Sequence, residues 1–212
     1  VYTGTDIEVV LTGNTYQAAF TESSPVSTFN SGNQILLNAS GSLQIDNRIL
    51  TYMDNQWKAE NEFSWSDLTG KTNVTAVYPV YPDLDYVQEN LYKNNSLEDI
   101  LYVKDEFPAG NSIHLQFKHL FSLLTLHLEG NLQTYFQKIE VTCPAVSSII
   151  PKSAEIVLAD NGTHTTTIAQ VSPSGNYSFI VPPVGNMVIA INMVTNGKKY
   201  TTPVSYTHLT LP

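Results

Sequence analysis

The stretch "IHLQFKHLFSLLTLHLEG", residues 113–130, carries His114, His119 and His127 and is the first place to look for chemistry. Metal ligands must converge from one side, at i and i+2 on a strand or i and i+4 on a helix. His114 and His119 are five apart, on opposite faces of a strand. No metal site is therefore expected, and His119 reads as a packed histidine bonded to backbone. Asp83 and Asp85 in "PDLDYVQE" (82–89) lack the full spacing of a calcium loop and read as a solvated acidic loop. The single cysteine, Cys143, lies in "KIEVTCPAV" with no histidine phrase beside it, so it reads as a small buried residue rather than a nucleophile. One cysteine also excludes an internal disulfide. There is no G-x-S-x-G and no phosphate loop, so neither hydrolysis nor phosphoryl transfer has an anchor and no cofactor is expected. Trp57 and Trp65 could present ring faces to sugars, against the competing reading that they pack in a core. Asn38, Asn73, Asn94, Asn161 and Asn176 each open an N-x-Ser/Thr pattern, which is frequent by chance in a chain rich in these residues.

The elements that must position these groups are strands. The chain has 212 residues, 42% of them apolar, enough for a substantial core. Only 14% are charged, below the roughly 25% of an average soluble domain, so Ser, Thr, Asn and Gln must cover the surface. Ten Lys and Arg against nineteen Asp and Glu give a net charge of −9, which argues against nucleic acid and against docking on anionic lipid. The chain begins at Val1 without a signal peptide, which a mature or cut chain would already have lost.

Apolar, β-branched and aromatic runs recur between clusters of Gly, Asn, Asp, Ser and Pro, which predicts strands at 6–11, 33–38, 48–53, 74–79, 113–118, 123–128, 136–143, 154–159, 164–171, 176–182, 186–194 and 198–204. Asp160-Asn161-Gly162 and Asn196-Gly197 read as hairpin turns, and Pro182-Pro183 as a strand end. The best helical candidate is "NSLEDILYV", 95–103, with Ser96 as a cap, and one turn or an irregular strand fits its spacing nearly as well. A membrane helix needs about 20 mostly apolar residues, and Gln116, Lys118, His119, Ser122, Thr125 and His127 interrupt the 113–130 run. No membrane span is expected. Strand parity is informative instead: Ile113, Leu115 and Phe117 share one face, while Leu124, Leu126 and Leu128 keep the opposite parity. Such a flip implies a bulge or bend near 119–123, where one strand turns a corner and changes sheets. The break at "EFPAGNS", 106–112, divides the chain into β-sandwiches at 1–108 and 109–204.

Several phrases, in order, resemble the fimbrillin-like proteins of Bacteroidetes, subunits and anchors of type V pili. Phe29-Asn-Ser-Gly32-Asn-Gln-Ile35 is similar to the family's F-x-x-G-D-x-I, with Asn33 in place of Asp. "YMDNQW" (52–57), "AVYPVYP" (76–82, with Tyr78 and Pro79), "EDILYV" (98–103), "LQFKHLFSLLTLHL" (115–128, with Phe117 and His119), "YSFIVPP" and "NGKKYTTPV" follow in the family's order. The resemblance implies an all-β fold of two tandem transthyretin-like sandwiches and a non-catalytic structural or adhesive subunit. It implies export as a lipoprotein precursor to the outer-membrane surface and assembly by donor-strand exchange with other pilus subunits. A host protein or glycan would be a further partner. A surface carbohydrate-binding or adhesin module outside a pilus is the alternative reading. Family processing follows an arginine; Arg48, the one arginine, does not match such a site. The chain's end departs from the family pattern, which finishes on a further strand. Residues 205–212 are expected to be a non-native tail and the second sandwich to be truncated.

Overall fold

The computed structural model describes residues 7–11, 29–54, 56–60, 70–108, 113–128, 138–169, 175–183, 187–195 and 198–206. Alternating apolar residues form strands throughout, and the fold is all-β. The first strands are β1 (Ile7–Leu11), β2 (Gln34–Gly41), β3 (Ile45–Met53), β4 (Gln56–Ala59) and β5 (Thr72–Tyr78). A 3-10 turn at Pro82–Leu84, a four-residue helix α1 (Gln88–Leu91) and a short hairpin of β6 (Tyr92–Lys93) and β7 (Ser96–Leu97) lead to β8 (Leu101–Phe107). Then come β9 (Ile113–His119), β10 (Ser122–Leu128), β11 (Lys138–Ile150), β12 (Glu155–Ala169), β13 (Gly175–Val181), β14 (Met187–Thr195) and β15 (Lys198–Tyr206).

A seven-stranded sheet runs β1-β9-β8-β5-β2-β3-β4; β12-β11-β14-β15 form a four-stranded sheet, and β10-β13 a two-stranded one. The polypeptide changes sheets between β9 and β10, at the bend expected from the parity flip. Phe117 is fully buried before it and Leu124 is 4% exposed after it, while Lys118 and Thr125 face solvent. β9 hydrogen-bonds within the first sheet, so that sheet extends past the expected boundary at 108/109 and takes in residues 113–119.

One open reading is decided and one expectation changes. Residues 95–103 are not helical: Asn94 and Asn95 adopt left-handed conformations (φ 47° and 65°) and reverse the chain between β6 and β7, with Ser96 paired to Lys93 rather than capping a helix. Asp160-Asn161-Gly162 is not a hairpin either. It lies inside the single strand β12, where Leu158 pairs with Val146 and Thr163 with Pro144, leaving an irregular insertion with Asn161 at φ 54°. The reversal between β11 and β12 occurs instead at Pro151–Ala154, closed by the Ser153 N–H donating to the Ile150 carbonyl at 3.2 Å. Asn196-Gly197 does join a hairpin, since Thr195 pairs with Lys198.

The first sheet buries residues on both faces. Ile35, Leu37, Leu50, Trp57, Val74, Ala76, Leu101, Leu115 and Phe117 belong to one core. Leu36 and Val77, paired across β2 and β5, point the other way. They join a second core with Tyr81, Tyr86, Leu91, Ile100, Leu120, Phe121, Val146, Ile149 and Ile180. This second core ties the first sheet to β11 and β13. Phe121, 2% exposed, sits in it at the bend. Phe121→Ala is expected to cost about 3–5 kcal/mol. The loss would appear as a lower urea midpoint at unchanged slope, moving far-UV and tryptophan signals together.

Candidate assembly interface

The aromatic and histidine positions that carry the family phrases converge. Phe29 meets Trp57, Tyr78 and Phe117 edge-on, with centroids 5.0, 5.3 and 5.5 Å away. Edge-to-face pairs at such distances add to the burial of the rings themselves. Ile35 lies in the same core. Gly32 takes φ +91° in the preceding turn and donates its N–H to the Tyr52 carbonyl at 2.8 Å. The Tyr78–Pro79 peptide is cis. Trp57, weighed as a stacking platform, is 1% exposed and offers no free ring face. Trp65 lies outside the described residues.

His119 is 5% exposed and directs Nδ1 at the Asp99 carboxylate, 2.8 and 3.0 Å from its two oxygens. The Asp99 side chain is thus one of its partners. One residue on, the Leu120 N–H donates to the Ile100 carbonyl at 2.7 Å. The corner is therefore pinned to the segment just before β8 by one side-chain and one backbone contact. The side chains of His114 and His127 lie outside the described residues. Asp83 and Asp85 are exposed on the turn after Tyr81. Among the described residues no group of three or more His, Cys, Asp or Glu could hold a metal ion, and no helix is long and apolar enough to cross a membrane.

Cys143 is a buried free thiol on β11, and burial pushes its pKa up to about 11. Burial also raises Tyr78, Tyr81, Tyr86 and Tyr92, with the nearby Glu98 carboxylate adding to the shift at Tyr78 and Tyr81.

The arrangement best suited to an intermolecular role is the β1–β9 ladder. β1 is an edge strand and runs parallel to β9, in register from Ile7 with Ile113 to Leu11 with Phe117. β9 pairs with β8 only at Leu101–His119 and Tyr102–Lys118. Over Ile113–Phe117, therefore, β9 finds its registered backbone partner in β1 and not in β8. Ile113, Leu115 and Phe117 anchor β9 in the first core while Gln116 and Lys118 are exposed. Sequence reasoning located both strands but gave no sign of their parallel pairing, because they are separated by about a hundred residues (Leu11 to Ile113) and nothing local specifies a partner.

These features define an all-β protein in which β1 forms one edge of the seven-stranded sheet. The model of the fimbrillin-like family matches residues 18–210, and the chain belongs to that family. Family membership supports a pilus or adhesion subunit. A candidate cell adhesion protein from Bacteroides ovatus has a similar fold, with a TM-score of 0.59 at 13% identity, covering 98% of this chain and 88% of that one. A fimbrial protein from the same species matches at a TM-score of 0.48 and 15% identity, over 96% of this chain and 46% of that one. A candidate cell adhesion protein from Bacteroides thetaiotaomicron matches at 0.48 and 16%, over 97% and 86%. No curated protein matches the sequence.

Two outcomes follow from the buried groups. The raised Cys143 and tyrosine pKa values mean that the unfolded chain loses these protons before the folded one does. The Cys143 contribution is fully present below about pH 8.5 and is lost as pH rises through about 11, while that of the tyrosines begins to fall only above about pH 10. The urea midpoint should fall across that window, less steeply in Cys143→Ala. Removing the carboxylate partner of His119 by Asp99→Ala should cost about 3 kcal/mol in urea unfolding. Lys71→Ala, at the exposed pair with Glu106, should leave the midpoint nearly unmoved.

Proposed function

We propose that this chain is a non-catalytic subunit of a cell-surface fibre, assembled by exchange of the N-terminal strand. In the free subunit β1 occupies the edge beside β9. On assembly β1 leaves, and an extended strand from a neighbouring subunit takes its position along Ile113–Phe117. Export as a lipid-anchored precursor to the outer-membrane surface accompanies this role. The single observation that carries the reading is the ladder of β1 on β9, where β8 has parted from β9. Membership of the fimbrillin-like family supports it.

The physics is that of strand addition to an open edge. Backbone bonds lost when β1 leaves are regained with the incoming strand, so the exchange is nearly neutral in hydrogen bonds. β1 has five residues, about 17 Å of strand, so a longer or more apolar donor strand has room to do better. Losing β1 without a replacement exposes unpaired N–H and C=O groups beside buried Ile113, Leu115 and Phe117, which drives association.

A protease site placed within residues 12–28 of the full chain tests this. After cleavage and release of β1, the protein should form denaturant-resistant oligomers on light scattering and bind an added peptide of residues 5–12. The uncut protein should stay monomeric. A cut chain that releases β1, stays monomeric and ignores the peptide would falsify strand exchange at this edge.

A further inference from the structure

The second face of the first sheet changes character along its strands. Leu36, Val77 and Tyr102 form an apolar row across β2, β5 and β8 under the second core. The next row on that face is Asn38, Thr75 and Lys104, and the one after it Ser40, Asn73 and Glu106. The two N-x-Ser/Thr patterns at Asn38 and Asn73 thus lie side by side on antiparallel neighbours, with Asn38 opposite Thr75 and Ser40 opposite Asn73. These two polar rows floor a cavity of about 840 Å³. The turn between β11 and β12 overhangs one side. Lys104 Nζ donates to the Ser153 carbonyl at 3.3 Å, and Lys152 pairs with Asp46 on β3.

The deep row is built rather than merely exposed. Asn38 and Thr75 are only 7% and 8% accessible. The Asn47 N–H donates to Asn38 Oδ1 at 2.8 Å, which fixes the amide with its NH2 group on the other side. That Nδ2 is buried and has no acceptor. The buried amide holds the deep row in place, and the side chains of Ser40, Asn73 and Thr75 are the polar groups beside it along the floor. Gln44 Oε1 accepts from the Gly41 N–H at the rim. The charged lining groups are Asp46, Asp105 and Glu106 against Lys104 and Lys152, with Glu106 already bonded to Lys71 at 2.6 Å. Near-balance of charge disfavours a strongly anionic ligand. Among the described residues no aromatic side chain lines the cavity, so these residues offer recognition by hydrogen bonds from amides and hydroxyls.

We propose that this cavity binds a neutral polyhydroxylated ligand, one or two sugar rings in size, with its hydroxyls bonding the Ser40 and Thr75 hydroxyls and the Asn73 amide. The site is distinct from the β1–β9 edge and from Trp57, and its occupation does not depend on strand exchange.

The test is a titration of the full isotopically labelled chain with a panel of neutral hexoses, N-acetylhexosamines and their disaccharides, with inorganic phosphate as an anionic control. At least one sugar should shift the amides of Asn38, Ser40, Asn73 and Thr75 saturably, and phosphate should not. Ser40→Trp, at an exposed position that should leave folding intact, should fill the cavity and weaken binding by roughly tenfold or more. Asn73→Ala, at an exposed lining position, should weaken the same sugar. Saturable shifts confined to other residues, shifts with phosphate alone, sugar binding unchanged in Ser40→Trp, or no response to any sugar would each overturn the proposal.

Discussion

The corner between β9 and β10 is the constraint on which the described structure rests. A strand that leaves one sheet for another must reverse the parity of its buried side chains, and it loses ladder bonds where it turns. Here the turn is held by two contacts to the segment before β8: the Leu120 N–H on the Ile100 carbonyl, and His119 on Asp99. Both side chains of the second pair are 4% exposed, so their contact is made away from solvent. Around this point Leu120 and Phe121 enter the second core beside Ile100, Val146 and Ile149. The corner therefore joins what would otherwise be separate sheets into one packed body.

The crossover between β5 and β8 completes the joint. Tyr86 donates its hydroxyl to the Pro79 carbonyl, while its own carbonyl accepts from the Ile149 N–H at 2.9 Å. The Tyr92 hydroxyl accepts from the Val146 N–H, and its ring lies 4.1 Å from that of His164. The Asn95 carbonyl accepts from His164 Nε2 at 2.8 Å, and Asn95 Nδ2 donates to the Thr165 carbonyl. Tyrosine suits this role because its ring fills apolar space while its hydroxyl reaches backbone groups left over at an irregular junction. The twelve tyrosines in the sequence thus have, in part, a structural use. The outer edges are treated differently. β9 has a rigid buried face, yet over most of its length its registered backbone partner is a short strand from the chain's beginning.

Much of this was legible in the sequence where the signal was local. The parity switch between Phe117 and Leu124 placed the corner, and the phrases around Phe29, Trp57, Tyr78 and Phe117 marked residues that meet in one aromatic cluster. The misreadings came where one local motif serves two purposes. Asn-Gly at 161–162 supplies a left-handed bulge within β12 as readily as a hairpin, and only pairing with β11 decides between them. The apolar spacing of Leu97, Ile100 and Leu101 suited a helix, but the left-handed Asn94 and Asn95 imposed a hairpin first. The boundary at Pro108 marked a loop between two strands of one sheet rather than the sheet's edge. The polar cavity was not legible at all, because Asn38 and Thr75 become neighbours only through the β2–β5 register.

Native-state hydrogen exchange, read residue by residue, tests most directly the account of a rigid jointed body with a detachable edge. The amides of Leu120 and Ile149, and those at the centres of β2 and β5, should exchange only through global unfolding. The amides of Ile7–Leu11 and their partners on β9 should open at a much lower free energy, without denaturant dependence typical of the whole molecule. Protection of β1 equal to that of β5, or early sub-global exchange at Leu120 and Ile149, would contradict the account.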